Sequence, residues 1–381
     1  SSHFGSSFPL GPRALHMSIV APCVQRWPHV AGKASVAPHR PQLAQAAPAS
    51  RSGFPCFGSA AAAAFVALSA HRRHSRRGIG RRGRRPMGAG ALLGTSDPQT
   101  IAEYFGGKIV WVTGASAGLG EAICIALCQS AKPRGLILSA RNETALDRVK
   151  TRCLELHPGL EALVLPMDLE NLAAIPGIAA KAKEMLGRVD VLVNNGGRGF
   201  RDTAAQTALE IDQMMMNVNY FSGVALVKAL LPDWLASSSG HVVQIASVQG
   251  YFGMPGRTAY SATKHAAMGF YDSLRAEVAD NGVSVTMVAP GYIATGHSEN
   301  AAHGSGGKYP EGHTSKGVPP EVMAPQILAA AARRRSEFVP AALDAKLARI
   351  LRQLWPWGLF YYMRRRARKE RLQRAGANTA G

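Results

Sequence analysis

From Lys108 onward the chain repeats one texture. A short run of β-branched and apolar residues gives way to a stretch with helical periodicity, and then another short run begins. The short runs fall at 109–113, 135–139, 162–166, 189–193, 241–246, 283–288 and 337–339. The helical stretches lie near 118–131, 142–157, 171–187, 207–235, 258–280 and 321–334. Parallel strands need a long crossover, and a helix is its usual form. Strict alternation therefore predicts an α/β fold, a doubly wound parallel sheet with helices on both faces. No composition break divides 108–300, so this is one domain. We bound it at 97–340, between a segment at 1–96 and an extension at 341–381.

The first run leads straight into Thr113-Gly114-Ala115-Ser116-Ala117-Gly118-Leu119-Gly120. A glycine-rich turn between a strand and a helix sets backbone N–H groups and the helix dipole against a pyrophosphate. Larger side chains at the glycines would block that approach. A tight turn uses glycine too, so the run alone is weak. The strand before it and the amphipathic helix after it supply the context for a single Rossmann-type domain. The second run ends Ser139-Ala140-Arg141-Asn142. An NAD site places an acid about 20 residues after the glycines, to bond the ribose 2′-hydroxyl. A guanidinium there clamps a 2′-phosphate instead. Arg141 thus predicts NADP(H), against the plainer reading of a surface arginine at a strand end.

Tyr260 and Lys264 stand four residues apart in a helical stretch and share one face. A free phenol ionises near ~10, too high for a base at neutral pH, and a neighbouring ammonium favours the phenolate. Ser247 stands just past the fifth run, where its hydroxyl can bond a carbonyl oxygen as hydride arrives on the carbon. Met214-Met215-Met216 reads as core packing. The five cysteines have no metal-ligand spacing; Cys124 and Cys128 share a helix face as small buried residues. We expect reduced thiols and no metal.

The glycine turn, then Asn194-Asn195-Gly196-Gly197, then Tyr260-Ser261-Ala262-Thr263-Lys264 follow in an order that resembles the short-chain dehydrogenase/reductase family. The resemblance covers roughly residues 106–340. It implies a catalytic set of Ser247, Tyr260, Lys264 and Asn219. Asn219 would hold a water that continues a proton relay from Lys264, with Asn217 the other candidate. It implies that Gly114, Ser116, Ala117, Gly118, Leu119 and Gly120 cradle the cofactor phosphates. Asp168, followed by Leu169, would touch the adenine amino group, and Asn194 and Gly196 would line the adenosine side. Lys264 would also bond the nicotinamide ribose. Pro290-Gly291-Tyr292-Ile293-Ala294-Thr295 matches the family's P-G-x-I-x-T, so Ile293 and Thr295 would contact the carboxamide. Family members often pair through the helices near 207–235 and 258–280, which implies a homo-oligomer.

The net charge of +20 sits on the two ends. Residues 1–96 hold 13 Lys and Arg and no acid; residues 361–381 hold seven and one Glu. The stretch between is nearly neutral, which argues against a nucleic-acid-binding fold. Binding through the arginine-rich ends would instead be salt-sensitive and lost with 1–96. That first segment, Arg-rich and acid-free, reads as organelle targeting, with a disordered tail the other reading. Its apolar run at 58–70 is too short for a confident span. The glycine-rich 296–320 reads as a lid over a substrate pocket or as a surface loop.

At the other end, Trp355-Pro356-Trp357-Gly358-Leu359-Phe360-Tyr361-Tyr362 precedes a basic cluster. Such a sequence suits anionic lipid headgroups, a wall of a lipophilic pocket, or an aromatic patch packed on the domain. Val248-Gln249-Gly250 and the run 358–371 resemble the family's member-seven (type B) branch. That resemblance implies endoplasmic reticulum or peroxisomal membranes and lipid-like ketones, including acyl- or alkyl-dihydroxyacetone phosphate. The long basic leader departs from the branch, and a plastid address fits it. The expectation is an NADPH-dependent reductase of a lipophilic ketone. The alternatives are a steroid- or retinoid-type hydroxy dehydrogenase and a catalytically silent nucleotide-binding regulator.

Overall fold

A computed structural model describes residues 97–296, 301–307 and 317–378. The expectations for 1–96, its targeting role included, lie outside the described residues.

Seven strands form one parallel sheet in the order β3-β2-β1-β4-β5-β6-β7. They are β1 (Ile109–Thr113), β2 (Gly135–Ser139), β3 (Glu161–Val164), β4 (Val191–Asn194), β5 (Gly240–Ile245), β6 (Val283–Val288) and β7 (Glu337–Phe338). The chain starts at the centre, winds outward to β3, then crosses back to β4. The reversal between β1 and β4 opens a crevice at their carboxyl ends, where ligands bind in such sheets.

The helices are α1 (Pro98–Phe105), α2 (Gly118–Ser130), α3 (Glu143–Leu156), α4 (Ile175–Leu186), α5 (Leu209–Met216), α6 (Ser222–Ala236), α7 (Thr258–Glu277), α8 (Pro320–Ala332), α9 (Leu343–Leu354) and α10 (Pro356–Asn378). Side chains of β1 alternate between the faces. Val110 and Val112 join the core under α1, α2, α3 and α8, whereas Ile109 and Trp111 join the core under α4, α6 and α7. The indole N–H of the buried Trp111 donates to Ser139 Oγ at 2.9 Å, which satisfies its polar atom. Cys124, Cys128 and Cys153 are free thiols buried where α2 meets α3.

Three elements differ from the sequence expectation. The helix expected over 207–235 is interrupted by a π-helical turn, Asn217–Phe221, between α5 and α6. The interval Leu209–Ala236 is long and apolar enough to cross a membrane, yet Leu226, Val227, Leu230 and Trp234 are buried on the sheet face. Its apolarity serves the core. Next, α1 was not anticipated, although its cap is plain: Asp97 accepts from the Thr100 N–H and hydroxyl just before Pro98. Finally, the aromatic and basic tail is helical. Pro356 opens α10 immediately after α9 ends, so the two helices form a hairpin.

Candidate active site

The glycine turn is shaped by its neighbours on β4. Thr113 Oγ1 accepts from the N–H groups of Asn195 (3.0 Å) and Gly196 (2.8 Å), and Asn195 Nδ2 donates to the Thr113 carbonyl (2.9 Å). The turn after β1 is thereby stitched to the turn after β4. Gly114 and Gly118 have φ of +65° and +57°, a region that favours glycine. A Cβ on Gly120 would lie 2.1 Å from the Gly114 carbonyl oxygen. Gly120 therefore lets α2 start close under the strand and stands behind the cleft, not in its wall. Ala117, at the N-cap of α2, has no side-chain cap bond, so the first N–H groups of the helix are left for an anion.

A cavity of about 640 Å³ runs along this crevice, within the range of cofactor sites. Gly114, Ser116, Ala117, Gly118 and Leu119 line one end with Arg141, Asp168, Leu169 and Gly196. Arg141 is exposed and makes no hydrogen bond or ion pair among the described residues. The nearby Arg148 is committed to Glu121 and the Ser116 carbonyl. Asp168 caps the following turn by accepting from the Glu170 N–H. Asn194 departs from expectation. It is buried, its Nδ2 donating to Gln244 (2.7 Å) and to the Tyr271 hydroxyl (3.0 Å). Asn195 lines the cavity in its place.

Ser247, Tyr260 and Lys264 meet at the other end. Ser247 follows β5 by two residues; its Oγ accepts from the Gln249 N–H and holds a short 3-10 turn. Tyr260 lies in the first turn of α7, its hydroxyl close enough to Ser247 for the serine to favour the phenolate. Lys264, one turn on, is buried; its Nζ donates to the Ile245 carbonyl (3.2 Å) and stands 5.5 Å from the Tyr260 ring centre. Burial raises the Tyr260 hydroxyl above the ordinary phenol, opposed by the nearby Ser247 and Arg257. The same burial lowers Lys264 to about 8. Desolvation thus outweighs the downward pull on Tyr260 expected from the ammonium.

Asn219 sits on the π turn, a feature that recurs at functional sites. Its Oδ1 accepts from the Arg198 N–H (2.7 Å), and its Nδ2 donates to the Arg198 carbonyl (2.9 Å) and to Thr263 Oγ1 (3.3 Å). These bonds fix the loop after β4 beside the lysine. A Cβ on Gly197 would lie 2.9 Å from Asn219 Oδ1 and 4.0 Å from Lys264 Nζ. Ile293 and Thr295 line the cavity where they meet the phosphate end; Thr295 Cγ2 lies 3.1 Å from the Cβ position of Gly118.

Sequence reasoning missed several wall residues: Arg198, Met214, Val248, Met254, Arg257 and Tyr292. Met214, expected in the core, forms cavity wall and packs near Phe200 and Tyr260. The segment 301–307 of the expected lid is tied to the loop before α5. Ala302 pairs with Phe200, and Asp202 accepts from the Gly304 N–H and contacts His303. Val318 pairs with Ile293. Residues 297–300 and 308–316 lie outside the described residues.

The family model for short chain dehydrogenase matches residues 108–305. A "Dehydrogenase/reductase SDR family protein 7-like" from Anopheles gambiae is 42% identical over 287 residues, spanning 73% of this chain and 89% of that one. "Dehydrogenase/reductase SDR family member 7B" from Xenopus tropicalis is 39% identical over 277 residues, spanning 70% and 88%. Two solved structures share the fold at 24% identity. The Burkholderia phymatum short chain dehydrogenase/reductase in complex with NAD has a TM-score of 0.58 and covers 65% of this chain and 94% of its own. The Sphingobium yanoikuyae short-chain dehydrogenase in complex with NADPH has a TM-score of 0.54, covering 64% and 92%. With this sheet order, glycine turn and Ser247–Tyr260–Lys264 cluster, the chain belongs to the short-chain dehydrogenase/reductase family of oxidoreductases.

Proposed function

We propose that the protein interconverts a lipophilic ketone and its secondary alcohol, with NADP(H) as the redox partner. The observation that carries this reading is the convergence of Ser247, Tyr260 and Lys264 on the wall of one nucleotide-sized cleft, with Lys264 Nζ 5.5 Å from the Tyr260 ring centre.

The residues fit the cofactor. Glycines 114 and 118 leave room for phosphates at the uncapped start of α2, and Arg141 is uncommitted at the end of β2. In this reading Arg141 takes the 2′-phosphate, Asp168 and Leu169 hold the adenine, and Ile293 and Thr295 hold the carboxamide. Bound NADPH supplies hydride to the carbonyl carbon. Ser247 and Tyr260, both donors, converge on the carbonyl oxygen and stabilise its developing charge. The Tyr260 O–H bond breaks and its proton goes to that oxygen, giving the alcohol. A hydroxyl whose pKa is held up stays protonated at neutral pH and is ready to donate. Lys264 restores the proton, and Asn219 keeps the neighbouring loop in place for a water that refills the lysine. The reverse sequence oxidises the alcohol.

Met214, Val218, Val248 and Met254 give the substrate end an apolar wall, which favours a lipid-like ketone such as acyl- or alkyl-dihydroxyacetone phosphate. The same wall admits a steroid- or retinoid-type alcohol. The test follows NADPH oxidation with a panel of lipid ketones, steroids and small diketones, with Tyr260→Phe in parallel. Turnover should fall by about 10²–10⁴ in the variant while NADPH still binds. Cofactor binding without turnover of any carbonyl would instead support a silent regulatory protein.

A further inference from the structure

The C-terminal hairpin has one side accounted for and one side bare. On the inner side Leu351, Leu359 and Met363 pack with Val248, Phe252 and Met254. Arg349 pairs with Glu337 on β7 at 2.7 Å and stacks over Tyr251. These contacts fix which way the helices face. On the outer side Leu347, Ile350, Leu354, Trp357, Phe360 and Tyr361 are all exposed, with Leu354 at 80% and Trp357 at 77%. Scattered exposed apolar residues are ordinary, but six large ones concentrated on two consecutive helices mark an interaction site.

Its surroundings select the occupant. Arg352 lies over the Phe360 ring and Arg365 over the Tyr361 ring, each at 5.2 Å, so cations and aromatic faces share one surface. Arg364, Arg368, Lys369 and Arg371 continue the charge along α10. The hairpin's acids are Asp344 and Glu370, and Glu370 is tied to Arg366. A second copy of the chain would bring like charges together over this face. A bilayer with anionic headgroups offers the opposite charge and an apolar layer for the aromatic rings.

We propose that the outer face of the α9–α10 hairpin docks on a lipid bilayer carrying anionic headgroups. The same hairpin borders the substrate end of the cleft. Arg366 lies near Tyr292, which lines the cavity, as does Met254 from the packed inner side. Docking would therefore bring that end of the cleft next to the lipid. The docking itself is independent of the reductase reading, since it needs no turnover.

The full chain is floated with vesicles of phosphatidylcholine, alone or with about a quarter phosphatidylserine. Two variants run beside it, Arg364→Glu/Arg365→Glu/Arg368→Glu and Trp357→Ser/Phe360→Ser/Tyr361→Ser. A third chain has Arg81, Arg82, Arg84 and Arg85 changed to Gln. The parent should bind serine-containing vesicles and release them at high salt. The charge-reversed hairpin should bind roughly 100-fold more weakly, and the apolar triple should also lose most of its binding. The 81–85 variant should keep hairpin-dependent binding. Thermal melts confirm that the exposed changes leave the domain folded. Parent-like flotation by both hairpin variants overturns the proposal. So does an apolar triple that floats like the parent but drops from a dimer to a monomer, because the face would then belong to a second copy.

Discussion

At the scale of the residue, Lys264 is a costly side chain: it is buried, and its ammonium has the Ile245 carbonyl as its hydrogen-bond acceptor. Ser247, Tyr260 and Lys264 could be read because few other side chains perform that proton transfer, and the structure brings them together. The choice between Asn194 and Asn195 could not be read. All four residues of β4 are buried, so no polar alternation reports which side chain turns toward the cleft. In the proposed reading Arg141 carries the cofactor preference. A charge-assisted bond to phosphate contributes about 1.5–3 kcal/mol, so Arg141→Ala should weaken NADPH binding by roughly 10- to 100-fold and leave NADH nearly unchanged. Titration of both cofactors measures this, and equal losses would place Arg141 outside the 2′-phosphate site. Lys264 costs stability. Burial lowers its pKa from 10.5 to about 8, so the folded chain binds fewer protons than the unfolded chain between those values. The penalty is full below pH 8 and is relieved as pH rises toward 10.5. The shift corresponds to about 3 kcal/mol, partly offset by the bond to the Ile245 carbonyl. Lys264→Met should therefore be inactive yet more stable at pH 7 by about 2 kcal/mol, with the gap closing near pH 10. Denaturant unfolding without cofactor at the two pH values decides it; a variant less stable at pH 7 would contradict the desolvation cost.

At the scale of the element, the alternation of runs predicted the strands and main helices to within a few residues, but the π turn left no trace in it. Asn217–Phe221 contains no Gly or Pro, and one extra residue in a turn barely disturbs a helical period. Yet this turn sets Asn219 against the loop after β4, where Gly197 leaves room for its carbonyl oxygen. Gly197→Ala should push Asn219 away from the Arg198 backbone without disturbing the sheet. We expect turnover to fall about tenfold, a cost near 1.4 kcal/mol in the barrier, with NADPH affinity little changed. Gly120→Ala should behave differently. Its methyl would meet the Gly114 backbone at 2.1 Å, and backbone cannot step aside as a side chain can. Overpacking of that kind costs about 1–3 kcal/mol or more and moves the start of α2, so cofactor binding should be lost along with stability. Thermal melts and NADPH titrations of the two variants should separate them. Identical behaviour would mean that the two glycines do not serve separate sites.

At the scale of the whole molecule, the cleft divides between two supports. The phosphate end rests on β1, β2 and α2, remote in sequence from the C-terminus, whereas the substrate end is backed by the hairpin through Val248, Phe252 and Met254. No helical period shows past Leu354: Pro356 breaks it, and α10 is too basic to show a clear apolar stripe. Pro356 instead begins a second helix, where its missing N–H costs nothing. Removing residues 343–381 should therefore act on one end alone. Leu359 would leave Val248 and Phe252 exposed beside Ser247, and Tyr292 would lose Arg366. The shortened chain should still bind NADPH, since Gly114 to Leu119, Arg141 and Asp168 keep their supports. Its turnover of a lipophilic ketone should fall at least about tenfold, mainly through a raised KM, as a wall of the substrate end is lost. A shortened chain that reduces the ketone with unchanged KM and kcat would show that the hairpin does not form the substrate end. Loss of NADPH binding as well would show that the two ends are not separately supported.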